Sequence, residues 1–213
     1  MVKPTEPRLT LDVVPATCHY SNLRTELPRQ SWNRLRAKAY FRARYRCEVC
    51  GGRGPEHPVE AHEQWAYEIP DDHSQMPTQR LTGIIALCPD CHEVKHYGLA
   101  QVRGREAEAL AYLCRVNGYT DIQAEEAIYL EAMVYRARST LLWRLDVSLI
   151  LEMGESELYV QEVMDRRDAK NAVVAAEHVQ DLDAFIQIAR EILAVPPTPE
   201  PEPEDSTDGF KWV

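Results

Sequence analysis

Two cysteine pairs, Cys47/Cys50 and Cys88/Cys91, stand 37 residues apart and constrain this 213-residue chain more than any other feature. A two-residue gap lets both sulfurs of one pair turn towards a single ion, and two such pairs complete a tetrahedron at ~2.3 Å. Four filled positions leave no place for a reactive water, so an ion held here is a fold-fastening Zn2+. The competing readings are two pairs of unliganded buried thiols or a redox site. Disulfides call for an oxidising compartment. The opening stretch MVKPTEPRLTLDVV has no apolar run of the kind a secretory leader uses. A cytoplasmic setting is therefore expected. No apolar run approaches the ~20 residues of a membrane span, so no membrane role is expected. Cys18 and Cys114 stand alone and read as small buried side chains.

The residues around the pairs set the local architecture. Gly51 to Pro58 is turn material, Val59 to His62 reads as a short strand, and 63–79 reads as a loop broken by Pro70 and Pro77. Gly83 to Leu87 is a second apolar strand. Pro89 then suits the first position of a short helix, and Gly98 suits its stop. The order is strand, loop, strand, short helix. Upstream, Ser31 is a candidate N-cap for a helix from Trp32 to about Tyr45. That segment with its flanks carries Arg29, Arg34, Arg36, Lys38, Arg42, Arg44 and Arg46 and no acid. Either it is an ordinary solvated face, or a polyanion relieves its self-repulsion. In the second case Arg34, Lys38 and Arg42 are candidate phosphate contacts.

Three histidines form a second constellation. His92 and His96 are four apart on the short helix and so share a face, and His62 ends the neighbouring strand. Three imidazoles can hold one further divalent ion and leave positions open for water and a phosphate oxygen. Such donors favour Zn, Ni, Co or Mn over Mg, which prefers oxygen. Glu60 alternates with His62 and is either an acceptor for an imidazole N–H or a plain surface carboxylate. His57 and His73, in turn and loop segments, read as solvated.

The arrangement C-x2-C … Glu60-Ala61-His62-Glu63 … Leu87-C-x2-C-H-x3-H resembles the zinc-containing HNH endonucleases, whose catalytic unit is the ββα-metal finger. It is also similar to small bacterial HNH proteins through Cys47-Glu48-Val49-Cys50-Gly51-Gly52 and Leu87 to Gly98. The resemblance implies His62, His92 and His96 as ligands of a catalytic divalent ion. It implies hydrolysis of phosphodiesters, in DNA rather than RNA, with His62, His92 and Glu63 at the reacting centre. Glu63 falls where the family has its basic histidine, and Gly83 falls where the family has its middle asparagine. Three readings follow. Glu63 is the base; or Glu63 is a ligand and His73 the base; or the site binds metal and nucleic acid without cutting, as a zinc-finger binding or protein-interaction module. Lys95, Arg103 and Arg105 either hold flanking phosphates or are solvent charges.

The chain divides by charge. Residues 1–105 hold 15 Lys+Arg against 12 Asp+Glu, while 106–213 hold 9 against 22. An N-terminal arm (1–28, with a short strand at Leu9 to Val14) and a zinc-stapled finger with its basic helix (29–105) precede a mainly helical acidic region (106–195). Within that region Glu106 to Val116 reads as a helix, and Thr120 with Gln123 makes a capping box for a helix to about Arg138. Leu145 to Leu151 reads as a strand, and Ser156 to Arg167 and Asn171 to Ala194 as helices. Leu182, Phe185, Ile186 and Ala189 form a stripe suited to core packing, to a homodimer or to a protein partner. Residues 196–213, with five prolines and five acids before Phe210-Lys211-Trp212-Val213, are expected to be disordered. The fold class expected is α+β.

Overall fold

The computed structural model describes residues 6–19, 22–72 and 75–177. The fold is mixed α+β. Strands β1 (Glu60–Glu68) and β2 (Thr78–Leu87) form an antiparallel hairpin, and β3 (Arg144–Asp146) joins β2 in parallel, giving the order β1-β2-β3. Helices α1 (Leu23–Glu26) and α2 (Arg29–Arg42) precede the hairpin. Helices α3 (Pro89–Lys95), α4 (Tyr97–Val102), α5 (Glu106–Asn117) and α6 (Asp121–Arg138) follow it, then α7 (Leu149–Glu152) and α8 (Glu157–Glu177) after β3. Among the described residues no helix is long and apolar enough to cross a membrane.

The sheet separates two cores. On one side Leu87, Cys88, Cys91, Val94, Ala109 and Leu113 pack together between α3 and α5. On the other, Leu35, Ala39, Leu81, Ile84, Val147 and Val163 pack between α2 and α8. Strand residues alternate faces, so β1 serves both. Ala61 and Trp65 pack on the α2 side, while Glu60 and His62 meet α3. Leu81 and Ile84 share a face despite odd spacing because the register shifts opposite Gln64 and Trp65, where Gly83 pairs with Gln64 and Leu81 with Trp65. The extra residue of this bulge restores the alternation.

Several sequence expectations need correction. The hairpin is far longer than expected: 63–68 and 78–82 join the ladder, because pairing with a partner strand recruits segments whose own pattern is weak. Residues 9–14 form no strand. They are pinned one by one, Leu9 by the Asn117 side chain (2.9 and 2.7 Å) and Asp12 N–H by Lys95 O (3.0 Å). Helix α2 starts at Arg29 behind Pro28, and Ser31 is buried inside it, accepting from Arg34 at 3.0 Å. Gly98 stops nothing, since α4 runs through it after a break at His96. Of the expected strand only Leu145 and Asp146 pair with β2, with Arg144 before them, and Leu149–Glu152 is helical. The break expected after Arg167 is absent, since α8 runs from Glu157 to Glu177. The helices at α5 and α6 form as read, with the Thr120–Gln123 capping box in place. His73, the Leu182–Ala189 stripe and the 196–213 tail lie outside the described residues.

Candidate metal centres and the cleft beside them

The cysteine cluster is built by two turns brought together by the hairpin. In the first, Gly51 N–H donates to Cys47 O (2.9 Å), Cys47 N–H to Gly52 O (2.9 Å), and Gly52 N–H points at Cys50 Sγ (3.3 Å). Glu48 fastens this turn to β2: its N–H donates to Ala86 O (2.9 Å) and its carboxylate accepts from Ala86 N–H (2.7 Å). Gly54 lets the following segment pass under α3, since a Cβ there would meet His57 O at 2.4 Å and Pro89 Cδ at 2.5 Å. The second turn is the α3 entrance, with Pro89 at its first position. All four cysteines are free thiols, and their sulfurs lie within 4.8 Å of one another.

The donor set fits zinc. Metal–sulfur bonds of ~2.3 Å give a tetrahedron with edges of about 3.8 Å, and Cys50 Sγ and Cys88 Sγ are 3.6 Å apart. Hydrogen bonds from the Cys88 and Cys91 thiols hold the Cys47 thiol well below its ordinary value, and the same bonds push Cys88 and Cys91 up. Four sulfurs this close cannot all ionise without a cation. The Tyr112 hydroxyl covers the cluster at 3.5 Å from Cys88 Sγ and 3.6 Å from Cys50 Sγ.

The histidine cluster joins β1 to α3. His62 meets His92 at 5.3 Å and His96 at 5.0 Å between ring centroids, and His92 meets His96 at 4.7 Å. One nitrogen from each lies within 4.8 Å of the others, so the three could hold a metal ion. Carboxylates orient two of the rings. His92 Nδ1–H donates to Glu60 Oε2 at 2.5 Å, and His62 Nε2–H donates to Asp12 Oδ2 at 2.6 Å. The opposite nitrogen of each ring keeps its lone pair for a ligand. Burial lowers the His92 pKa and takes that of His96 down to about 3, so both rings are neutral, as ligation requires. Burial alone would raise Asp12. The hydrogen bond from His62 and the charge of Lys95 outweigh it, and its carboxyl lies below the usual range.

Asp12 is the residue sequence reasoning missed, because nothing local links position 12 to position 62. Glu60 acts as an imidazole acceptor, one of its two expected roles. Glu63 stands apart. It faces the α2 side of β1, where Oε1 accepts from Leu23 N–H at 2.8 Å and so caps the start of α1; burial pushes its carboxyl up to about 7. Gly83 sits in the ladder opposite Gln64, and a Cβ there would lie 2.8 Å from Gln64 Oε1. His57 Nε2 lies 4.0 Å from Glu60 Oε1 and is exposed.

An open cleft of about 1800 Å³ runs past the histidines to α2 and the turn that follows it. The cations expected to serve it are mostly engaged elsewhere. Lys95 is buried, donating to Asp12 Oδ1 (3.0 Å) and Thr10 Oγ1 (2.8 Å). Arg34 pairs with Glu155 at 2.7 Å, Lys38 donates to Met153 O, and Arg42 reaches Ile84 O at 2.7 Å and Glu48 at 3.2 Å. Arg105 grips Glu93 through two bonds of 2.7 and 2.9 Å. Of the six, Arg103 alone makes no side-chain bond among the described residues, and it does not line the cleft. Besides the buried Lys95, the cations that line it are Arg24, Arg29 and Arg36, all three exposed and without an ion pair among the described residues. Arg29, Asn33, Arg36 and Tyr40 lie at helical intervals on one face of α2.

The chain matches no family model, no curated protein and no solved structure. Its own geometry therefore carries the functional reading.

Proposed function

We propose that the chain is a metal-dependent nuclease that hydrolyses phosphodiester bonds in nucleic acid, its hairpin and α3 acting as an HNH-type ββα-metal finger. The observation that carries this reading is the convergence of His62, His92 and His96 beside an independent four-sulfur cluster, on the wall of a cleft bearing unpaired arginines. A divalent ion held by the three imidazoles supplies positive charge that offsets the charge developing on a phosphodiester. The protein's part is positional. Asp12 and Glu60 fix two of the rings, burial keeps two of them neutral, and Arg24, Arg29 and Arg36 draw the phosphate backbone into the cleft. Zinc in the cysteine cluster fixes the start of α3 and with it the direction of His92.

Hydrolysis needs a proton acceptor for the attacking water. Glu63 also lines the cleft, but its carboxylate is already engaged by Leu23 N–H. His57 takes this role in our proposal. It lines the cleft, is exposed, and neighbours the Glu60 carboxylate that holds His92. DNA is the substrate that the HNH resemblance favours.

Cleavage of plasmid DNA and of RNA, measured across Zn, Ni, Co, Mn and Mg, tests the reading. Cutting that survives Glu63→Gln and falls in His57→Gln supports the assignment. No cutting of any nucleic acid with any metal overturns it. The second reading is a non-cutting nucleic-acid-binding module. Its support is the pair of departures at Glu63 and Gly83, and unchanged binding in the absence of cutting would select it.

A further inference from the structure

The end of α2 is folded in a way that its residues do not favour. Arg44 and Tyr45 are consecutive non-glycine residues with φ of 52° and 56°. The left-handed region costs an L-residue with a Cβ free energy that glycine, and largely asparagine, avoid. Glycines could make the same turn into the Cys47 pair at lower cost. What the two residues achieve is a placement: Tyr45 N–H closes on Tyr40 O at 2.9 Å, and the Tyr45 ring comes to 6.5 Å from the Tyr40 ring at a tilt of 47°. Tyr45 is 48% exposed. Both rings line the cleft that contains the histidine cluster.

We infer that this cleft takes an unpaired nucleic-acid strand, with bases stacked on Tyr45 and Tyr40 and phosphates held by Arg29 and Arg36. The inference rests on the proposed function and names the form of substrate that the site receives. In a duplex the base faces are covered by their neighbours and only edges and phosphates remain, so a ring face in the wall finds no partner there. In a single strand every base offers a π-face, and cationic grooves lined with aromatic rings are built for it. The arginines fit the same ligand, being exposed, on one helix face and without a carboxylate partner among the described residues. The volume fits as well, since about 1800 Å³ exceeds the ~300–1,000 Å³ of small-molecule sites and suits a stretch of polymer.

The test is fluorescence anisotropy on the zinc-loaded full chain. The probe is a labelled oligonucleotide with phosphorothioate linkages, used as a single strand and as the matching duplex. The single strand should bind at least about tenfold more tightly. Tyr45→Asn, which keeps a residue tolerant of the left-handed turn, should weaken single-strand binding about tenfold. Tyr45→Phe, which keeps the ring, should stay within about twofold. Phe41, 78% exposed on the same helix but outside the cleft, is the control, and Phe41→Ala should change nothing. Arg36→Gln should reduce the slope of log affinity against log salt by about 0.7. Should Tyr45→Asn lose zinc or fold, Tyr40→Leu carries the same test from within the helix. Equal affinity for duplex and single strand, or equal losses in Tyr45→Asn and Phe41→Ala, would overturn the inference. Ring-dependent binding without cleavage removes the nuclease proposal and leaves this one standing. Cleavage without ring-dependent binding does the reverse.

Discussion

Helix α3 carries members of both clusters. Cys88 caps its entrance and Cys91 lies in its first turn, His92 follows directly, and His96 closes its last turn. The surroundings nevertheless differ in every respect that matters to a metal. The four sulfurs are enclosed by Leu87, Val94, Ala109 and Leu113 and covered by the Tyr112 hydroxyl. The three imidazoles open onto a cleft, and two of them are held by carboxylates from two other segments, Asp12 in the arm and Glu60 on β1. Four identical donors in an apolar enclosure make an anchor. Three donors with an open side make a place where something else can bind. Helix α3 is seven residues long, so the anchor can orient the open site directly without sharing its exposure.

The strongest way to break this contrast is to remove one sulfur. Cys91→Ser should abolish cooperative unfolding of the region around α3 or lower the melting temperature by more than about 10 °C, because structural zinc contributes on the order of 10 kcal/mol to folding. Thermal melts with near-UV circular dichroism read this directly. A mild effect would show that the apolar packing alone holds the finger. Removing an imidazole should act the other way round. His92→Ala should lower cleavage by at least about 100-fold while the melting temperature moves by only a few degrees.

Acid sharpens the contrast further. The Cys88 and Cys91 thiols lie above their ordinary values, so each must lose a proton when metal enters. Affinity at the sulfurs should therefore fall steeply as pH drops. His96, held at about 3, has no proton to release above pH 4, and burial lowers His92 as well. Cobalt titration between pH 7.5 and 5.5 should show the thiolate charge-transfer band weakening steeply. The histidine-site absorption should weaken less steeply. Equal slopes at the two sites would erase the distinction.

The smallest effect belongs to the arm. Asp12→Asn keeps the shape but loses the charged acceptor for His62 N–H, and should weaken cobalt binding at the imidazoles by about 10- to 100-fold. Binding at the sulfurs should not move. The same change leaves the buried Lys95 ammonium without its counter-charge, so a somewhat lower melting temperature should accompany it.

What could be read in advance follows from distance along the chain. The Cys47/Cys50 and Cys88/Cys91 spacings and the four-residue step from His92 to His96 are local, and each needs only a turn or a helix to bring its members together. The capping box at Thr120 was legible for the same reason. The hairpin was underestimated because 63–68 and 78–82 become strand only by pairing with each other. Which cations face the cleft was not legible, because a run of seven basic residues does not say which of them will meet an acid. Glu155 lies 121 residues from Arg34 and engages it. Ile84 O, 42 residues away, engages Arg42 in the same way.

By itself, then, the order of residues determined the donor types, their number and their grouping into a four-sulfur and a three-imidazole set, since these depend on composition and short spacing. Only the tertiary structure decided which side of β1 each carboxylate serves, sending Glu60 to His92 and Glu63 to Leu23. It also decided that Asp12 reaches back to His62 and that Arg29 and Arg36, rather than Arg34 and Lys38, face the open cleft. The reason is physical. Strand faces, burial and the partners of a charge are set by packing between segments far apart in the chain, and no local pattern carries that information.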